Sequence, residues 1–412
     1  MQNFRIKLSL YINYFVFAIL LNSVGTVILL VQGYFLVSKQ GAAYLDPYKD
    51  LSIAVASFIV GAVVTKVGYR KSMIIALSAV TIACFIIPSI KIFFAVKLLY
   101  AVFGFSFGLT KVSVYGTIGL VTNSEKAHLS FMNFIESFFM VGVVGGYYLF
   151  AVFSKNPETG NWFKVYYLLG GLSFFALLML LTAKLDESEI KKEPNNSFAD
   201  DFLKMVKLAA LPLVISFVVC AFFYVLIEQS SMNWIPTFNK DVLKISEPIA
   251  IILGSILSAS IALGRFLAGI VLRKLKWFVV LISCIAGAAI TLLISLKLAE
   301  NTSISSVTNF ADVPLVAFVM PTLGIFLAPI YPAINSVILA SLPKERHGAM
   351  SGLIVVFSAI GGTLGSVITG SLFDSIGGIK AFYFSLIPMA ILLFFLFLFY
   401  RQNIGFKSMG GH

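Results

Sequence analysis

Four ionisable residues stand inside long apolar runs of this sequence: Lys111, Glu136, Glu228 and Arg265. No familiar catalytic arrangement accompanies them. The only histidines, His128, His347 and His412, fall at loops or in the tail, and no His-Glu-x-x-His pattern occurs. No glycine loop runs into Lys-Ser/Thr as a phosphate cradle requires. Cys84, Cys220 and Cys284 sit singly in apolar runs, without zinc or disulfide spacing. Catalysis, a metal site and a resident cofactor are therefore not expected. Four charges among hydrocarbon-loving neighbours suit the handling of protons and ions. A charge at the centre of a membrane helix costs at least ~2.5–3.5 kcal/mol on insertion scales, so it faces a cavity or another charge.

Glu228 is followed by Gln229, Asn233 and Trp234, and no basic residue is obvious at its depth, toward the outer side. A carboxyl without a counter-charge can load and release a proton; the plainer reading is a Glu wetted near the outer interface. Lys111 and Glu136 fall at similar depths on the cytoplasmic side of two oppositely running helices. They can pair, either as a switch for substrate or proton or as a fixed salt bridge. Arg265 reads as a gate or as a scaffold bond to helix-end carbonyls, with recognition of an anionic group as the other possibility. Asn22, Gln32, Tyr115, Asn133, Tyr331 and Asn335 would complete a cavity of amides and aromatic faces suited to a sugar. Amides also bind helices together in a membrane, so each is as good a helix glue as a ligand.

The elements that must position these residues are set by composition. Of the 412 residues 59% are hydrophobic and 12% charged, whereas soluble domains carry about 25% charge. Lipid is the natural solvent for such a chain. Apolar stretches fall at 8–37, 47–67, 72–90, 92–121, 130–153 and 163–183, then at 208–236, 247–272, 277–298, 312–341, 347–373 and 379–400. Each is long enough for a span of ~20 residues. The expected fold is an all-α integral membrane protein of twelve transmembrane helices in two six-helix halves. Its parts are a bundle at 1–183, a charged cytoplasmic linker at 184–207, a second bundle at 208–401 and a tail at 402–412. The first run, with Arg5 and Lys7 before it, is too long for a cleaved signal peptide and reads as a retained helix.

The net charge of +12 does not point to nucleic acid, because Lys and Arg punctuate the apolar runs instead of clustering. Their excess in alternate loops puts both termini in the cytoplasm, in a cell's inner (plasma) membrane. Gly61 with Lys66, Gly68, Tyr69, Arg70 and Lys71 after the second helix is echoed by Gly269 with Arg273, Lys274 and Lys276 after the eighth. Two similar halves joined by a linker are the plan of repeat-built transporters. Glycine runs at Gly142–Gly146 and Gly361–Gly365 occupy the same helix position in each half and suggest the surface on which the halves rock.

The run Gly61 to Lys71 resembles the loop between helices two and three of the major facilitator superfamily, with Thr65 at the motif's Asp position. Four stretches resemble the superfamily's fucose–proton symporter branch: Phe222-Phe223-Tyr224-Val225 with Glu228 and Trp234, Gly264-Arg265-Phe266 with Gly269, Tyr331-Pro332-Ala333, and Phe138-Phe139 with Gly142 and Gly145. That branch's acids in the first and fourth helices are absent; the fourth carries Lys111. The resemblance implies alternating access, with Lys66, Gly68, Arg70, Lys71, Arg265 and Gly269 in gating. The expected function is proton-coupled symport of a small polar solute, a sugar or sugar-like metabolite, anionic or neutral, with Glu228 and Glu136 as proton carriers. Lys111, Asn22, Gln32, Tyr115, Asn133, Gln229, Asn233, Trp234, Tyr331 and Asn335 would form the substrate site. The alternative is efflux of an amphipathic compound, disfavoured because helix five lacks the proline-and-glycine signature of drug antiporters. The partners expected are the solute, protons and the bilayer, with the protein a monomer.

Overall fold

The computed structural model describes the backbone of residues 2–121, 125–155, 157–183, 185, 187, 207–272, 274–302, 306–342 and 346–408. Within these it describes all side chains except those of 2–4, 57–66, 115, 116, 118–121, 125–134, 136, 137, 157, 347–349, 351 and 406–408.

A chain in hydrocarbon has no water to satisfy its peptide groups, so they must bond within each segment. The described chain is accordingly helical, apart from a single bridge between Ile245 and Val307. In chain order the helices are α1 (Gln2–Asn22), α2 (Val24–Phe35), α3 (Lys39–Ala43), α4 (Leu45–Val67), α5 (Tyr69–Ile90), α6 (Phe93–Val121), α7 (Glu125–Phe153) and α8 (Lys164–Thr182). There follow α9 (Pro212–Asp241), α10 (Glu247–Val271), α11 (Trp277–Glu300), α12 (Val316–Val319), α13 (Leu323–Leu327), α14 (Ile330–Ser341), α15 (His347–Ile376), α16 (Gly378–Phe384) and α17 (Leu386–Ser408).

Among the described residues nine helices are long and apolar enough to cross a bilayer, and α1 with α2 makes a tenth, bent by 49°. Helices α4 and α7, of 23 and 29 residues, are long enough as well, which is consistent with twelve passes. The bend at Ser23 divides what the sequence reads as one helix. No proline causes it. At the bend the Ser23 hydroxyl bonds the Leu20 carbonyl at 3.0 Å and lies 3.1 Å from the Tyr100 hydroxyl, while the backbone bonds of Ser23 to Ile19 and of Val27 to Ser23 are kept.

The chain forms two compact units, one of Met1–Val37 and Tyr44–Asn196, the other of Ser38–Ala43 and Ser197–His412. The short α3 therefore belongs to the second unit although it lies between helices of the first. There Asp374 accepts the amides of Lys39 and Gln40, at 3.3 and 2.8 Å, and Lys39 pairs with Asp241 at 3.0 Å.

In the second unit α9 and α15 touch backbone to backbone. A Cβ at Gly361 would overlap the carbonyl oxygen of Phe222, and one at Gly365 that of Leu226. In the first unit Gly142 lets α7 approach Phe15 and Ala18 of α1 in the same way. Both glycine runs thus serve packing inside their own unit, the use small residues have wherever membrane helices lie close.

Candidate functional site

Helix α9 carries Tyr224 and Glu228 one turn apart, so both side chains lie on one face. The Tyr224 hydroxyl donates to Glu228 Oε1 at 2.7 Å. Tyr331 of α14 stacks on Tyr224 with centroids 5.5 Å apart and planes inclined by 18°. Its own hydroxyl shares a 2.8 Å hydrogen bond with Ser358 of α15. Arg265 of α10 is the cation whose charge acts on Glu228, yet among the described residues the two make no ion pair within 4 Å. Four helices of the second unit thus converge on one carboxyl, one guanidinium and two stacked phenols. Glu228 is half-buried and Arg265 exposed.

This corrects the expectation that no base shares the depth of Glu228. Helix α9 runs for 30 residues, about 45 Å, well beyond a hydrocarbon core of ~30 Å. Glu228 is 13 residues from its C-terminal end, about 20 Å, and Arg265 is 18 residues into α10, about 27 Å. Measured on the real helices, the two charges come to adjoining levels.

The remaining expected residues divide. Trp234 is fully buried, its indole N–H donates to the Ser366 carbonyl at 3.1 Å, and its ring packs on Phe373 at 5.1 Å; it ties α9 to α15. Asn233 is buried and lies 3.5 Å from Gln229 Oε1. Asn335 is half-buried, and its Oδ1 has no hydrogen-bond partner among the described residues, which leaves an acceptor one turn from Tyr331. Asn22 and Gln32 donate to the carbonyls of Ala18 and Ile28 in their own helices, each at 2.9 Å. Lys111 is exposed, with Nζ 6.0 Å from the Phe107 ring centroid. The Phe107 ring in turn neighbours Tyr14, Phe17 and Phe139. The expected pairing of Lys111 with Glu136, and the side chains of Lys66, Tyr115 and Asn133, lie outside the described residues.

The gate motif gains a residue that the sequence does not suggest. Gly68, at φ +92°, starts α5. Glu187 Oε1 accepts the backbone N–H of Arg70 at 2.8 Å, and the Arg70 guanidinium donates to the carbonyls of Leu180 and Leu181 at 3.2 and 3.0 Å. A carboxylate at a helix N-terminus satisfies free amides and meets the positive end of the helix dipole. Thr65 stands where the motif has Asp, and here a carboxylate arrives from the far end of the first unit. Lys71 is exposed beside it.

A second group was also missed. Lys49 lies between Asp46 at 2.9 Å and Asp50 at 3.4 Å, with side-chain exposures of 6%, 0% and 13%. The spacing, three and one residues apart at the start of an apolar run, was the available signal.

Comparison with known proteins places this geometry in context. The family model described as Major Facilitator Superfamily matches residues 10–308. No curated protein sequence matches the chain. Among solved structures, a bacterial homolog of the human lysosomal transporter Spinster, inward-facing and unoccupied, superposes with a TM-score of 0.75 at 15% identity, covering 98% of this chain and 97% of that one. A D-xylose–proton symporter gives 0.74 at 13% identity, covering 97% and 98%. The outward-facing transporter FucP gives 0.62 at 15% identity, covering 96% and 98%.

Proposed function

The chain belongs to the Major Facilitator Superfamily, and from that premise we propose that it is a proton-coupled symporter of a small polar solute, working by alternating access in a cell's inner membrane with both termini in the cytoplasm. It is a transporter and not an enzyme. Two of the structures it resembles are described as a D-xylose–proton symporter and a fucose:proton symporter; at 13–14% identity they support the fold, and the coupling is our reading of the site.

The observation that carries this reading is Glu228: a half-buried carboxyl in the middle of a membrane helix, held by one phenol and facing one unengaged guanidinium. In the ionised state its charge is balanced by Arg265 and by the Tyr224 hydroxyl. In the protonated state Tyr224 can keep its bond, and Arg265 is released to act on a solute. The exchange needs no large displacement, because the guanidinium is not locked to the carboxylate. The stacked Tyr224 and Tyr331 present a flat aromatic face, and Asn335 an open amide oxygen, which together suit a ring bearing hydroxyls. Glu136 and Lys111 remain the second candidate pair, and the protein is taken to act as a monomer.

The test is transport in liposomes with acid outside, internal pH being followed as sugars, carboxylates and amphipathic drugs are added in turn. Solute-dependent acidification by one class, lost in Glu228→Gln while that solute still binds, is the expected result. Coupling that persists in Glu228→Gln would move the proton to the Lys111–Glu136 pair. Solute entry without proton movement would make the protein a uniporter.

A further inference from the structure

A cavity of about 430 Å3 opens in the second unit between α10, the start of α11 and α14. Its wall is apolar, with Ala268, Leu272, Trp277 and Pro332 prominent, and Arg265 is its only charged residue. Among the described residues Arg265 makes no hydrogen bond and no ion pair. A guanidinium stays ionised at physiological pH and offers a planar fork of donors that fits a phosphate or carboxylate. The charge of Arg265 acts on Glu228 without a direct contact, so its donors are unfilled and can take an anion from the cavity side.

The surroundings say which anion. Beside Arg265, α10 exposes Phe266 (68%), Leu267 (41%) and Ile270 (48%), a surface made for hydrocarbon. At the mouth, Lys276 caps α11 and Trp277 begins it, the pair of residue types that marks the bilayer–water boundary. The cavity therefore opens near the boundary and carries its cation about 9 Å further in, six residues before the end of α10, against a greasy wall. Basic pockets of this kind between membrane helices hold anionic headgroups. A sugar would leave the wall dry and unmatched. A zwitterionic lipid would bring its own cation toward Lys274 and Lys276, whereas an anionic one would not.

We infer that this cavity is a binding site for an anionic phospholipid of the surrounding leaflet, Arg265 taking the phosphate while Leu272, Trp277 and Pro332 take the adjoining acyl chain. This site shares Arg265 with the reading of Glu228 above, and lipid binding, measured without transport, tests it separately.

Tryptophan fluorescence tests it. Trp162 and Trp234 are fully buried, so a quencher in a lipid chain reports on Trp277. Purified protein in neutral detergent is titrated with phosphatidylglycerol or phosphatidylcholine bearing the same brominated chains, and with brominated stearate. Saturable quenching is expected from phosphatidylglycerol, with a higher apparent affinity than phosphatidylcholine, whose choline meets Lys274 and Lys276 with like charge. Arg265→Gln should weaken the binding of both lipids by about tenfold or more, since it removes the charge-assisted phosphate contact they share, and Trp277→Phe should remove the quenching. Gly269→Leu is a second variant that keeps the guanidinium and fills the cavity. A Cβ at Gly269 meets nothing within 4 Å, so the position has room for a side chain, and filling it should abolish the phosphatidylglycerol signal. Equal affinity for the two lipids, or phosphatidylglycerol binding unchanged in both Arg265→Gln and Gly269→Leu, overturns the inference. Stearate displacing phosphatidylglycerol overturns it as well and assigns the cavity to a free amphipathic anion.

Discussion

Asp46, Lys49 and Asp50 place two carboxylates and one ammonium among buried side chains of the first unit. One ammonium cannot balance two carboxylates, and the attraction that remains must offset the removal of all three from water. Breaking such a group is therefore costlier than the sum of its contacts. Lys49→Met should destabilise the protein by about 3–5 kcal/mol, because it removes the ammonium from two buried carboxyl groups. Replacing all three residues by apolar ones of similar size should cost much less. Thermal unfolding in detergent checks both, and a mild effect of Lys49→Met alone would mean that the group is hydrated. Glu228 and Arg265 make the contrast. There a cation stands near a carboxylate without engaging it, an arrangement suited to exchanging partners.

At the scale of elements, the apolar runs announce the helices because the bilayer leaves the backbone no other way to satisfy its hydrogen bonds. Breaks and caps are harder to read. The Ser23 hydroxyl at the bend has its partner 77 residues away, Tyr100, and the cap of α5 is a carboxylate 117 residues after Arg70. Neither is local in sequence, so periodicity cannot show it. Glu187 sits among many charges of the polar linker and nothing there distinguishes it. Its role makes a sharp prediction. Glu187→Ala should lower stability by about 0.5–2 kcal/mol, the usual worth of a helix N-cap, and Glu187→Gln should recover much of it, since an amide oxygen can still accept the Arg70 N–H. A lower apparent melting temperature in both variants alike would show that the charge, acting on the helix dipole, is what counts.

At the scale of the molecule, hydropathy and the echo between Gly61–Lys71 and Gly269–Lys276 were enough to reach the family. The chemistry was legible only in part. Glu228 and Arg265 stood out because charge is rare in such helices, but their relative depth depended on the C-terminal end of α9, Asp241, which lies beyond the end of its apolar run at 236. The orientation rests on charge bias alone and is open to direct measurement. Cys84 and Cys220 are buried; with Cys284 replaced, single cysteines can be placed at exposed lysines. Lys297, whose side chain is 72% exposed, ends α11, and Lys71 lies in the first turn of α5. With the termini inside, a membrane-impermeant maleimide applied to intact cells should label Lys297→Cys and leave Lys71→Cys untouched until the membrane is opened. The reverse pattern would invert the protein. It would also move the Arg265 cavity to the outer leaflet, and the lipid that meets it would then be that leaflet's.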